Sequence, residues 1–229
     1  MFCLDYHKII RLLKFYTILK FVINLLFSEF CYTLFERKIF IMQIYIRQAL
    51  PEDAPSIAPL IFDAIGEIAH RLTGESIHSN VIAGLEELVR ATDNRHTYLN
   101  TFVATNNQEI LGIIVVYDGK TGKELDGILM KKLQQKFSTS MQIDIEAYDD
   151  EYYIDTICVA PHARGLGIGT KLLYFAEQHA RILGYKKISL NVEEEKIKAQ
   201  QLYERQGFVT TEPWKIIGEN FYHMVKELH

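Results

Sequence analysis

From Gln43 to Gln48 apolar and polar residues alternate, which predicts a short strand with one covered face. Pro51, Glu52 and Asp53 follow, and proline with acids in a first turn predicts a helix start. Ile57, Leu60, Ile61, Ile65 and Ile68 then recur at helical spacing. A second helix is predicted over 79–91. Residues 97–105 and 109–118 predict a hairpin turning at Asn106 and Asn107, and 122–137 a less regular, partly helical insert. An acidic stretch, 144–150, leads into a strand over 152–160. A helix over 167–183 stops at Gly184, a strand covers 187–192, and a helix over 194–206 stops at Gly207. Residues 208–212 and 220–226 predict a closing hairpin. This order of elements predicts an α/β fold, a mixed central sheet with helices on both faces.

The first 41 residues break that rhythm. They are crowded with Ile, Leu, Phe and Tyr, yet Lys8, Arg11, Lys14, Lys20 and Glu29 interrupt them. No uncharged run reaches the roughly 18 residues a membrane span needs, and no small-residue cleavage site marks a signal peptide. Two readings remain: an amphipathic helix on a membrane surface, or an extension outside the working fold, with translation starting at Met42. The second is favoured. Glu36-Arg37-Lys38 can be encoded by a purine-rich stretch holding a bacterial ribosome-binding signal, shortly upstream of Met42. The chain thus divides into an extension, 1–41, and a domain, 42–229.

Composition changes the picture little. At 229 residues there is room for one ordinary domain plus that extension, and 48% hydrophobic with 24% charged residues is globular. Cys3, Cys31 and Cys158 form neither a disulfide framework nor a zinc pattern, and no metal site is expected. A reducing, cytoplasmic setting follows. Without the six basic and three acidic residues of 1–41, the formal charge falls from −4 to −7. An acidic domain without a basic stripe argues against nucleic acid and is consistent with a cationic acceptor.

The chemistry concentrates between Val159 and Thr170. A β-rich run enters a turn holding Arg164, Gly165, Gly167 and Gly169, and a helical pattern starts at once. Free amides at a helix N-terminus, with glycines allowing close approach, make an anion site. The nucleotide P-loop and the dinucleotide fingerprint both fit badly, because Gly169 is followed by Thr170-Lys171 and the glycines fall at alternate positions. Some other pyrophosphate is implied.

The spacing Arg164-x-x-Gly167-x-Gly169 resembles the acyl-coenzyme A loop of the GNAT acetyltransferase superfamily. Val159-x-Pro161 precedes it at the family's usual distance. Ala199-Gln-Gln-Leu202-Tyr203-Glu-Arg-Gln-Gly207-Phe208 is similar to a second family segment, and Phe221 to Lys226 to its closing strand. Ile44 to Asp53 resembles its opening strand and first helix cap. The resemblance runs in order from about Met42 to the C-terminus, as in a bacterial member.

It implies the acyl-CoA N-acyltransferase fold, with a mostly antiparallel sheet, and acetyl-coenzyme A as co-substrate. The implied activity is acetyl transfer to a primary amine of a small molecule or peptide. The cofactor-binding residues it implies are the main chain of Ile157, Cys158 and Val159, the turn Arg164, Gly165, Leu166, Gly167, Ile168, Gly169 and Thr170, then Asn191, Lys196 and Tyr203. Lys196 stands where the family often has asparagine. Tyr203 is the implied general acid for the leaving thiolate. The usual glutamate position is Tyr153 here, so the general base is expected at Asp155, which shares that strand's parity if no bulge intervenes, or at Glu151. The acidic run from Asp144 to Glu151 reads either as a solvated loop or as an attractor for a cationic amine. Glu193 to Glu195 read as a favourable acidic first helix turn. The alternative function is a catalytically silent acyl-coenzyme A-binding module, in which Tyr203 and Asp155 are dispensable. Membrane attachment is not expected of the domain, and the final hairpin offers a route to a homodimer.

Overall fold

The computed structural model describes residues 43–137, 144–216 and 218–229. The expected extension, 1–41, lies outside them. Seven strands among the described residues form one sheet: β1 (Tyr45–Gln48), β2 (Thr101–Thr105), β3 (Ile110–Asp118), β4 (Tyr152–Val159), β5 (Lys187–Glu193), β6 (Val209–Ile216) and β7 (Glu219–Glu227). Their order is β1-β2-β3-β4-β5-β7-β6, and β4–β5 is the parallel pair. The helices are α1 (Ala54–Ile65), α2 (Ile68–Thr73), α3 (His78–Arg90), α4 (Gly119–Phe137), α5 (Ile168–Ile182) and α6 (Ile197–Arg205). The expected mixed, mostly antiparallel sheet is present.

Helices cover both faces, as β3 requires. Every residue from Leu111 to Tyr117, Gly112 apart, is a large apolar side chain under 9% exposed, and successive side chains point to opposite faces. Gly112 lies against Ile168 and Leu172 of α5, where a Cβ would come within 3.3 Å of both. Tyr117, of opposite parity, packs on the N-terminal turn of α4 at Gly122. Burying β3 on both faces makes it the centre of the core.

Three departures from the expected elements have local causes. Pro51–Asp53 forms a single 3-10 turn, anchored where the Asp53 carboxylate accepts bonds from Arg47 (2.6 and 3.0 Å) and from the Leu50 amide (2.8 Å). The helix that follows ends at Gly66, whose φ of 52° no other residue adopts easily, so Ile68 opens a separate helix. Finally, a turn occupies 193–196, and α6 begins only at Ile197. Glu193 to Glu195 therefore precede that helix and do not form its first turn.

Two features of the sheet shape the site. β4 and β5 pair only through Tyr152–Ile188, Tyr153–Ser189 and Ile154–Leu190, and then diverge. Against β3, the register passes from Val116–Ile154 to Val115–Thr156, leaving Asp155 as the extra residue of a β-bulge.

Candidate active site

The gap between the diverging strands opens into a cleft of about 800 Å³. It runs from Arg164 and Gly169 past Cys158, Val159 and Tyr203 to Arg95, His96, Glu146, Tyr153 and Asp155. The Ala160 amide donates to Leu111 O of β3 (2.9 Å). Backbone groups of an antiparallel strand alternate in direction, so the N–H and C=O of Val159 and Ile157 face the gap. Cys158, between them, is buried, and burial pushes its thiol up.

At the outer end, Gly165 and Gly167 hold φ of 81° and 75°. Gly167 is the N-cap of α5, brings no side-chain cap, and has nothing within 4 Å of where a Cβ would stand. The opening amides of α5, from Ile168 to Thr170, thus begin a 15-residue helix beside open space. Ile168 contributes only main chain here, because its side chain is core; Leu166 is exposed. Arg164 folds back, with Nε on Val159 O (3.1 Å) and Nη2 on Asp63 Oδ2 (3.1 Å). Lys196 reaches Ala64 O (3.2 Å) and Glu193 (2.7 Å), so two cations cross from the β4–α5 and β5–α6 connections to the end of α1.

Tyr203 lines the middle of the cleft from α6. It is buried, and burial next to Cys158 pushes its phenol up to about 12. A phenol so shifted keeps its proton at neutral pH and is available as a donor.

The inner end is a buried polar cluster built by a loop that the sequence alone does not single out. Between α3 and β2, Asn94 Nδ2 donates to Leu88 O (2.9 Å), the His96 amide to Asn94 Oδ1 (2.8 Å), and Asn100 Nδ2 to Arg95 O (3.0 Å). These bonds turn Arg95 and His96 inward, 3% and 1% exposed. Arg95 meets three carboxylates: Glu146 Oε1 at 2.7 Å, Asp155 Oδ2 at 3.4 Å and Asp126 Oδ1 at 3.6 Å.

The two expected base residues are both engaged elsewhere. Asp155 receives bonds from Tyr117 Oη (3.0 Å) and Thr156 Oγ1 (2.7 Å), and His96 Nε2 lies 3.1 Å away. Burial alone would raise its carboxyl, but Arg95 and His96 hold it well below the usual range. The bulge removes the parity argument that favoured it. Glu151 does not border the cleft. It sits behind it, accepting from the Tyr148 amide (3.0 Å) and Ser189 Oγ (2.8 Å), with His223 Nε2 at 3.1 Å. Burial raises its carboxyl, yet His223 and these donors outweigh that and lower it.

Asn191, expected near the cofactor, spends its amide within the protein. Nδ2 donates to Glu146 O (2.8 Å) and Tyr153 Oη (3.1 Å), and Oδ1 lies 2.7 Å from His223 Nδ1, its cross-strand neighbour on β7. The acidic run divides: Asp149 and Asp150 are solvated, while Glu146 and Glu151 are buried. Among the described residues, no three of His, Cys, Asp and Glu are grouped to hold a metal, and no helix is long and apolar enough to cross a membrane.

A strand pair opening beside an uncapped helix, with a buried phenol between them, defines an acyltransferase type of site. Residues 77–208 match the acetyltransferase (GNAT) family, and the chain belongs to it. YhfO, an uncharacterised N-acetyltransferase of Bacillus subtilis (strain 168), is 28% identical over 163 residues, covering 71% of this chain and 88% of that protein. A crystal structure of an acetyltransferase superposes with a TM-score of 0.68 at 30% identity, covering 81% of this chain and 100% of its own. The N-acetyltransferase of Staphylococcus aureus Mu50 gives 0.68 at 25% identity, over 79% of this chain and 99% of its own.

Proposed function

We propose that this protein transfers the acetyl group of acetyl-coenzyme A to a primary amine by direct attack, in a reducing, cytoplasmic setting, with Tyr203 as general acid. The observation that carries this reading is the divergence of β4 from β5 directly beside the uncapped start of α5. One end offers amides and helix-dipole charge to a diphosphate. The other offers the main chain of Ile157 and the amide of Val159 to an amide-bearing pantetheine arm. The fit is physical: the space before Gly167 is open, and a Cβ at Gly169 would stand only 3.8 Å from Val159 and Leu202, so the turn lies close to the strand gap.

The chain's own groups divide the work. The turn from Arg164 to Thr170 holds the diphosphate, for which Arg164 exchanges its contact with Asp63. The Val159 amide faces the thioester oxygen and stabilises the charge that develops there. Tyr203 gives its proton to the thiolate as the carbon–sulfur bond breaks. Lys196 adds a cation at the cleft's mouth.

The test is a screen of primary amines, from alkylamines and polyamines to amino sugars and peptides, for thiol release from acetyl-coenzyme A. At least one class is expected to release thiol together with the acetylated amine, seen by mass spectrometry. If every class fails while acetyl-coenzyme A still binds, the protein is the silent binding module instead.

A further inference from the structure

Asp155 and Glu151 are spoken for, and the inner end of the cleft holds a third carboxylate. Resting on the transfer reading above, we propose that Glu146, delivered from the loop before β4, is the catalytic base that receives the proton of the acceptor ammonium.

Four observations lead there. First, Glu146 borders the cleft on the same stretch as Tyr153 and Asp155, although its side chain is only 11% exposed. Second, its backbone is fixed from two strands. Asn191 of β5 donates to Glu146 O (2.8 Å), and Trp214 of β6 donates through Nε1 to Ile145 O (2.8 Å). Third, its carboxylate is aimed by Arg95 on Oε1 (2.7 Å) and by the Tyr153 phenol on Oε2 (2.9 Å). The Tyr153 hydroxyl, from β4, thus ends on the Glu146 carboxylate. Fourth, the cluster gathers Asp126, Glu146 and Asp155 around one arginine, an excess of negative charge that suits an arriving ammonium.

The proton balance closes. The ammonium gives one proton to Glu146, and the freed nitrogen lone pair forms the new bond to the thioester carbon. As the carbon–sulfur bond breaks, the thiolate takes the Tyr203 proton. The nitrogen, now positive, loses its second proton, which restores the Tyr203 phenol. Glu146 returns its proton to solvent, so amide, free thiol and one proton are the products.

Burial raises the Glu146 carboxyl above its ordinary value, and nearby Asp155 adds to this, against the opposing pull of Arg95 and the Tyr153 hydroxyl. The other groups facing the cluster are Tyr117 from β3, Asp126 from α4, His96 beyond Asp155, and His223 from β7 through Asn191. A base must be ionised to act, so kcat/KM is expected to fall as pH drops through this raised value.

The test compares pH profiles of wild type, Glu146→Gln and Tyr153→Phe on an amine that the screen shows to be a substrate. Glu146→Gln should lower kcat/KM about 100-fold near neutral pH, the lower end for a lost general base because water can still carry the proton. The limb set by the carboxyl should give way to one set by the amine itself, so the deficit should shrink as pH nears the ~10.4 of a lysine-like acceptor, where free amine exists unaided. Tyr153→Phe removes a donor that stabilises the charged carboxylate, so its acid limb should move to higher pH. A merely structural Glu146 would lower all points equally and leave both limbs where they are. Parallel profiles in both variants, with each melting within a few degrees of wild type, overturn the assignment. Turnover by the wild type decides the transfer reading separately.

Discussion

Tyr203→Phe is expected to lower kcat by between about 10² and 10⁴, the range for loss of a positioned general acid. Affinity for acetyl-coenzyme A should stay within about twofold. The separation follows from where the hydroxyl sits. The ring packs against Phe208 with centroids 6.2 Å apart, and phenylalanine preserves that packing. Only the O–H beside Cys158 in the cleft is removed. A free thiol titrates near 8.5, so the departing thiolate is a base that a neutral phenol close by can satisfy. Because the Tyr203 phenol is pushed up to about 12, its protonation should not limit the rate below about pH 10. Single-turnover kinetics beside calorimetric titration measure both quantities. An unchanged kcat removes Tyr203 from the chemistry.

Arg95→Met is expected to cost about 3–5 kcal/mol of stability, the usual result of removing one partner from a buried ion pair. Asp155, Glu146 and Asp126 all converge on that guanidinium, and without it the cluster keeps three buried carboxylates and no arginine. Hydrogen bonds from Tyr117, Thr156 and Tyr153 remain, but neutral donors do not cancel charge. For a domain of this size each kcal/mol is worth about 2–4 °C, so the melting temperature should fall by about 6–20 °C. The loss should be smaller at acidic pH, where the orphaned carboxylates take up protons. Thermal melts at neutral and acidic pH would show both effects. A drop of less than about 1 kcal/mol would mean that the cluster admits water or rearranges, and that Arg95 does not hold it together.

What the sequence discloses and what it hides have different physical origins. The Arg164-x-x-Gly167-x-Gly169 turn is legible because local rules dictate it: positive φ needs glycine, and a strand running into a helix leaves amides at the junction. The continuous apolar run of β3 is read in the same local way, and it calls for cover on both faces. The inner cluster is not local. Arg95 and His96 sit in a polar stretch, Asp93 to Thr97, that looks solvated until Asn94 and Asn100 turn it inward. Glu146 has four acidic neighbours in its run, and only Trp214 and Asn191, far along the chain, make it the buried one of that run that borders the cleft. Its nearest signal was an alternative reading of the acidic run as an attractor for amines.

Asp155 shows the complementary lesson. Strand parity pointed to it, and one extra residue in the ladder against Val115 and Val116 was enough to void that argument. A β-bulge depends on the partner strand and leaves no mark in a single sequence. Lys196 differs again: its position beside the cleft was expected, but its contact with Ala64 O across the mouth depends on where α1 ends. That end is set by Gly66.

The most direct measurement is a calorimetric titration of acetyl-coenzyme A into wild-type protein and into Gly167→Val. The account predicts one site per chain for the wild type. For the variant it predicts at least tenfold weaker binding, since a branched side chain would stand over the opening amides of α5 and strain a φ of 75°. Absence of heat with the wild type, or equal affinity in a folded Gly167→Val protein, would contradict it.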